Sequence, residues 1–197
     1  MLREAVLDIV GLIKGAPISD LVIFGAFCAA VVVGAMQGTI RRLLGIASIV
    51  FAFLAAANLR DPVGNFLGDN WQQFPSGYTK MLAFGLVFGV LWIGLSILIQ
   101  GFYKRTDIYA ARPIVDEILG GVLGVVQGIL VLCVIVVILG SYTMPAPFSG
   151  EIDYVRQLHD IFINQSHIAT TLRDGIIPVL VHSTGFLLPA DIVAMFP

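Results

Sequence analysis

Asp116 to Leu139 reads DEILGGVLGVVQGILVLCVIVVIL, and from Ile118 onward it carries a single polar side chain, Gln127. At a rise of about 1.5 Å per residue this run is long enough to cross a hydrocarbon core of about 30 Å, so it is read as a transmembrane helix. Gly120, Gly124 and Gly128 recur every fourth residue and share one side of that helix, with Gly121 beside them. In lipid, apolar burial gives helices little reason to associate. Small residues let two backbones come close enough for dispersion and weak hydrogen bonds to act. The glycine face should therefore meet other helices, and the opposite face of Leu, Ile and Val should meet lipid or a looser neighbour.

The rest of the composition agrees. The chain has 197 residues, 58% of them hydrophobic and 12% charged, with a mean hydropathy of +0.95. These values lie outside the range of ordinary soluble domains and indicate an integral, all-α membrane protein. The formal net charge of -2 and the lack of a Lys/Arg run argue against a nucleic-acid partner. Cys28 and Cys133 both fall in apolar runs and read as inert small hydrophobes. The N-terminus, broken by Arg3, Glu4 and Asp8, does not read as a cleavable signal.

Working outward from the fourth run, three more spans are expected. Together the four cover about residues 21–38, 43–59, 81–99 and 118–139 of a transmembrane domain at 18–140. Residues 1–17 come first: Leu2, Val6, Ile9, Val10 and Ile13 form a helical stripe, so an amphipathic interfacial helix is expected. Arg41 and Arg42 should stop the first span, and the second begins so soon afterwards that the connection must be a tight hairpin or a barely broken helix pair. Arg60, Asp61 and Pro62 should close the second. A polar, turn-rich loop to Lys80 would follow, with Trp71, Phe74 and Tyr78 at headgroup level. Gly85 and Gly89 give the third span a small face that could dock on the fourth.

Residues 141–197 change character and read as a tail of short amphipathic helices. Pro145 and Pro147 mark a linker. Ile152, Val155, Leu158 and Phe162 make a stripe, Ile168 to Val181 is a weaker helix candidate, and Phe186 to Phe196 is too interrupted to span. The tail is too small for a catalytic domain and is expected to pack on the membrane face of the bundle. The basic loops at 39–42 and 101–116 should be cytoplasmic, which puts both termini and the tail outside the cytoplasm.

Few side chains invite chemistry. Asp20 and Asp116 each open a span, where a carboxylate accepts backbone N–H bonds and complements the helix dipole; capping is preferred over an ion or proton relay. The pattern GxxQG occurs twice, at Gly34–Gly38 and Gly124–Gly128. It sets one amide beside each glycine face, so Gln37 and Gln127 are candidates to pair across a helix contact, an interaction of about 1 kcal/mol. With Arg41 and Arg42 they could form a polar cluster at the cytoplasmic mouth of the bundle. His159, His167 and His182 lack partners at metal-ligand spacing. No catalytic, metal or cofactor site is expected, and the tail holds no GxSxG.

The order Asp20, Gly34, Gly38, Arg41 and then Asp116, Leu119, Gly120, Gly124, Gly128 resembles the CvpA (colicin V production protein) family of bacterial inner-membrane proteins, over about residues 18–140. Glu117, Gln37 and Gln127 stand where that family commonly has Arg. The resemblance implies four helices in the inner membrane and a link to colicin V export and envelope physiology. Some relatives carry a serine protease after the bundle; none is expected here. The expected role is that of a non-enzymatic scaffold, assembly factor or accessory subunit, in contact with the bilayer and with other membrane subunits or a second copy. A small transporter or channel component is the alternative, and it would need a polar pathway that the spans scarcely offer.

Overall fold

The computed structural model describes residues 17–71, 76–103, 113–140, 161 and 165–194. The expected interfacial helix at 1–17, the basic loop, the linker and most of the 151–165 stripe therefore lie outside the described residues. Four long helices dominate: α1 (Ile18–Gln37), α2 (Thr39–Asn70), α3 (Ser76–Tyr103) and α4 (Pro113–Gly140). All four are long and apolar enough to cross a membrane, and no strand occurs among the described residues. This is an all-α, multi-pass membrane protein of the class expected.

A single residue, Gly38, joins α1 to α2. Its φ of 75° lies in the left-handed region, where a side chain is strained and glycine is not. Neighbouring helices alternate in direction. Gly34 of α1 and Gly38 just after it lie against Gly124 and Gly120 of α4, so these two helices are antiparallel. Thr39 meets Asp116 and Ile49 shares a void with Leu130, so α2 and α4 are parallel. Gly64 against Lys80 and Phe53 near Phe84, at 5.9 Å between ring centroids, make α2 and α3 antiparallel. Helix α4 touches every other span.

Helix α2 departs from expectation. Arg60, Asp61 and Pro62 do not close it; it runs through Pro62 to Asn70. A proline removes one backbone donor but leaves the chain free to continue where packing holds it. Here a Cβ on Gly64 would sit 2.9 Å from the Lys80 Cα, and Lys80 Nζ lies 3.0 Å from Asp61 Oδ1. That close pairing with α3 overrides the local breaker. Arg60 stands about 31 Å along the axis from Thr39, close to one hydrocarbon thickness, so the turns beyond it project past the apolar layer.

The tail is helical where described: α5 (His167–Thr171), a π turn (Leu172–Ile176), α6 (Ile177–Thr184), a 3-10 turn (Gly185–Leu187) and α7 (Ala190–Ala194). It packs against the bundle and shares one core with it. Ala169, Leu172, Ile177, Val181, Leu188 and Ile192 are buried with Ile49, Ala56, Phe84, Phe88, Val134 and Val137. Ile177 and Val181 reach Ile49 and Leu130, more than ten residues from the Gly38 end of α2 and α4, so this segment lies along the bundle's flank. Elsewhere the surface is apolar, with Val22, Phe24, Val32, Leu86, Val90, Ile97, Ile118 and Val122 exposed. Such a surface is what lipid covers.

Candidate functional site

The α1–α4 contact is made backbone to backbone. A Cβ on Gly34 would meet the Gly120 carbonyl and sit 3.1 Å from the Gly124 Cα. One on Gly120 would come within 2.6 Å of the Gly34 carbonyl, and one on Gly128 within 3.0 Å of the Phe27 ring. The glycines at 34, 38, 120, 124 and 128 thus form one seam. The third span behaves differently: a Cβ on Gly85 would lie 3.7 Å from Ile138, but one on Gly89 would meet nothing within 4 Å among the described residues. Gly89 therefore does not dock on α4.

Both acidic residues cap helices, but helices other than their own. Asp116 Oδ1 accepts from the Thr39 backbone N–H at 2.9 Å, 77 residues away in sequence, and the Thr39 hydroxyl donates to the Asp116 carbonyl at 3.3 Å. That carboxylate closes the start of α2 just after the Gly38 break. At the other end of α1, Asp20 accepts from Ser166 Oγ at 2.6 Å and from the backbone N–H groups of His167 and Ile168 at 3.3 Å each. Ser166 Oγ in turn accepts from the Ala169 N–H at 3.0 Å, which makes it the N-cap of α5. The two acids stand at opposite ends of α1 and share no site.

Of the four side chains expected in the polar cluster, Arg42 and Gln127 meet. Gln127 pairs with Arg42: Arg42 Nη1 donates to Gln127 Oε1 at 2.5 Å, and Gln37 has no bond to Gln127 among the described residues. Gly45 makes room, since a Cβ there would lie 3.1 Å from the Gln127 amide nitrogen. Arg41 is half-buried one residue away. The depth also differs. Gln127 is about 16 Å along the axis from Asp116, at the middle of the apolar span Ile114–Gly140. The Arg42 side chain extends from the first turn of α2 toward mid-membrane and is only 7% exposed.

Arg42 and Gln127 line a partly open cavity of about 280 Å³ with Trp92 of α3 and the apolar side chains Ile23, Phe27, Val131 and Ile135. Two buried donors there, Arg42 Nε and Trp92 Nε1, have no hydrogen-bond partner among the described residues. No carboxylate pairs with Arg42 among the described residues. The sequence offered one signal for this cluster, the GxxQG repeat, and none for Trp92 or Gly45.

Other candidates resolve as structural. Ser166 is occupied as a cap, Ser183 Oγ donates to the Leu180 carbonyl at 2.9 Å, and His182 Nδ1 lies 3.0 Å from the Pro178 carbonyl. Cys28 and Cys133 are both free. Among the described residues no group of His, Cys, Asp or Glu side chains could hold a metal ion.

The family model described as Colicin V production protein matches residues 19–176, most of the chain. The chain belongs to that family. The match runs past the fourth span to the π turn, further than the motif resemblance at 18–140, so the colicin V production family includes the helix that Asp20 caps. No curated protein and no solved structure matches the chain.

Proposed function

We propose that this member of the colicin V production family is a non-enzymatic subunit of a bacterial inner-membrane assembly, with colicin V production and export as its setting. The observation that carries this reading is the unpacked face of α3. A Cβ on Gly89 or Gly94 would meet nothing within 4 Å among the described residues, while Leu86, Val90, Ile93 and Ile97 around them stand exposed. Small residues flanked by larger apolar ones are what a second transmembrane helix docks against. The partner is another membrane subunit or a second copy. In this reading the Gly38–Asp116 end, next to Arg41, is cytoplasmic. The opposite end has Arg60 and Lys80 beside Asp61. Both termini then lie outside the cytoplasm.

Isolation of the tagged chain in a gentle detergent, with native mass and subunit composition, tests the proposal. A stoichiometric partner or a defined homo-oligomer is expected, and Gly89→Leu should dissociate it. A monomer that carries no partner would remove the reading. The Arg42 cavity favours a second one, a component of a transport path, because a buried cation at mid-membrane is costly and marks a functional site more often than a packing contact. Ion or solute flux in proteoliposomes tests that reading separately.

A further inference from the structure

We propose that the cavity between Arg42, Trp92 and Gln127 is a binding site for a phosphate oxyanion, carried by an anionic lipid or free in solution. Three observations converge on one place. Arg42 is 93% buried, from its 7% exposure, and is paired with no carboxylate among the described residues. Its Nη1 is held by the neutral Gln127 carbonyl at 2.5 Å, which orients the guanidinium without cancelling its charge. Arg42 Nε and Trp92 Nε1, both buried and both without a partner among the described residues, line the same cavity. A buried cation needs a compensating anion or polar partners, and two unpaired donors beside it call for an acceptor. A planar guanidinium with several N–H groups matches a tetrahedral or planar oxyanion better than a single-atom ligand.

The remaining walls describe what the oxyanion can be attached to. Ile23, Phe27, Val131, Leu132 and Ile135 are apolar, and the cavity is open on one side. An acyl chain can lie against them while the headgroup phosphate reaches Arg42. A soluble phosphate would use the same donors and leave the apolar wall empty. This inference is independent of the subunit reading above, because a bound lipid is compatible with any partner.

The test uses the full chain in detergent micelles with Trp71→Phe, so that Trp92 is the one indole left of the chain's two and reports directly from the cavity. Phosphatidylglycerol, phosphatidylcholine and inorganic phosphate are titrated separately against Trp92 emission. A saturable response to phosphatidylglycerol but not to phosphatidylcholine is expected. Arg42→Gln should weaken it at least tenfold, while Arg41→Gln, which removes the same charge one residue away, should change it less than twofold. Ala26→Phe, which fills the cavity from α1 and keeps Arg42, should weaken it similarly, so the result does not hang on how well Arg42→Gln folds. A response to inorganic phosphate alone, with the same dependence on Arg42, assigns the oxyanion to solution. A response confined to phosphatidylglycerol assigns it to the bilayer. An equal response to phosphatidylcholine, no saturable response at all, or a response unchanged by Arg42→Gln or by Ala26→Phe would overturn the proposal.

Discussion

The Asp116 carboxylate caps the helix that starts at Thr39, across 77 residues of sequence and at 2.9 Å. This bond fastens the start of α2 to the first turn of α4, at the point where Gly38 turns the chain. A cap deletion typically costs about 1 kcal/mol, so Asp116→Ala should lower unfolding stability in micelles by that order, and Thr39→Val, which keeps the backbone N–H, by less. Gly38→Ala should cost more than either. Its backbone, at φ 75° and ψ 172°, costs a non-glycine residue roughly 1–3 kcal/mol, and the added methyl would run into the same carboxylate. Thermal unfolding of the three variants, followed by circular dichroism, gives the order directly.

The glycine seam predicts a cross-link. An ideal Cβ on Gly121 stands 3.9 Å from the Ala35 Cβ, inside the window of about 3.5–4.5 Å that disulfides occupy. With Cys28 and Cys133 replaced by Ala, the pair Ala35→Cys and Gly121→Cys should oxidise within one chain. The same pair carrying Gly120→Leu should not, because the larger side chain separates α1 from α4. Mass spectrometry of the digested protein reads both results.

Asp20 and Ser166 hold the tail to the bundle. Ser166 both donates to Asp20 and accepts from Ala169, so Ser166→Ala removes two bonds at the start of α5. The expected cost is about 1 kcal/mol, and the earlier symptom should be local. Cleavage within residues 167–184 by a soluble protease should speed up while the four spans stay protected. Unchanged cleavage kinetics would mean that the buried contacts of Ile177, Val181 and Ile192 hold the segment without the cap.

Arg42 and Gln127 should show strong coupling. Gln127→Leu takes away the acceptor that Arg42 Nη1 uses, and a lost hydrogen bond to a charged group costs about 1.5–3 kcal/mol. Arg42→Leu combined with Gln127→Leu removes both the charge and the acceptor, so the double variant should be more stable than the sum of the singles implies, by about 1–3 kcal/mol. Additive effects in this cycle would show that the bond contributes little in the membrane.

Much of the fold was legible because membranes impose strong rules. A hydrocarbon layer admits helices of a given length, so the apolar runs announced four spans, and the four-residue glycine spacing announced the face of α4 that α1 uses. Which helix that face would meet was not legible: the third span was expected to dock there, and Gly34 of α1 lies against it instead. The end of α2 was not legible, since Pro62 is a local breaker and only the packing of Gly64 on Lys80 carries the helix past it. The acids at 20 and 116 were expected to cap the spans they open, but their carboxylates bond the starts of α5 and α2 instead. Which helix each one caps depends on elements 146 and 77 residues away.

The sequence by itself therefore determined the number of spans, the glycine faces and the membrane class, because each follows from local composition against a fixed hydrocarbon thickness. Tertiary structure alone decided that Gln127 meets Arg42 and not Gln37, that Gly89 is left open, and that the tail joins the core. Those outcomes depend on which side of one helix faces which neighbour. The 3.6-residue period states which residues share a face, but not what that face will meet.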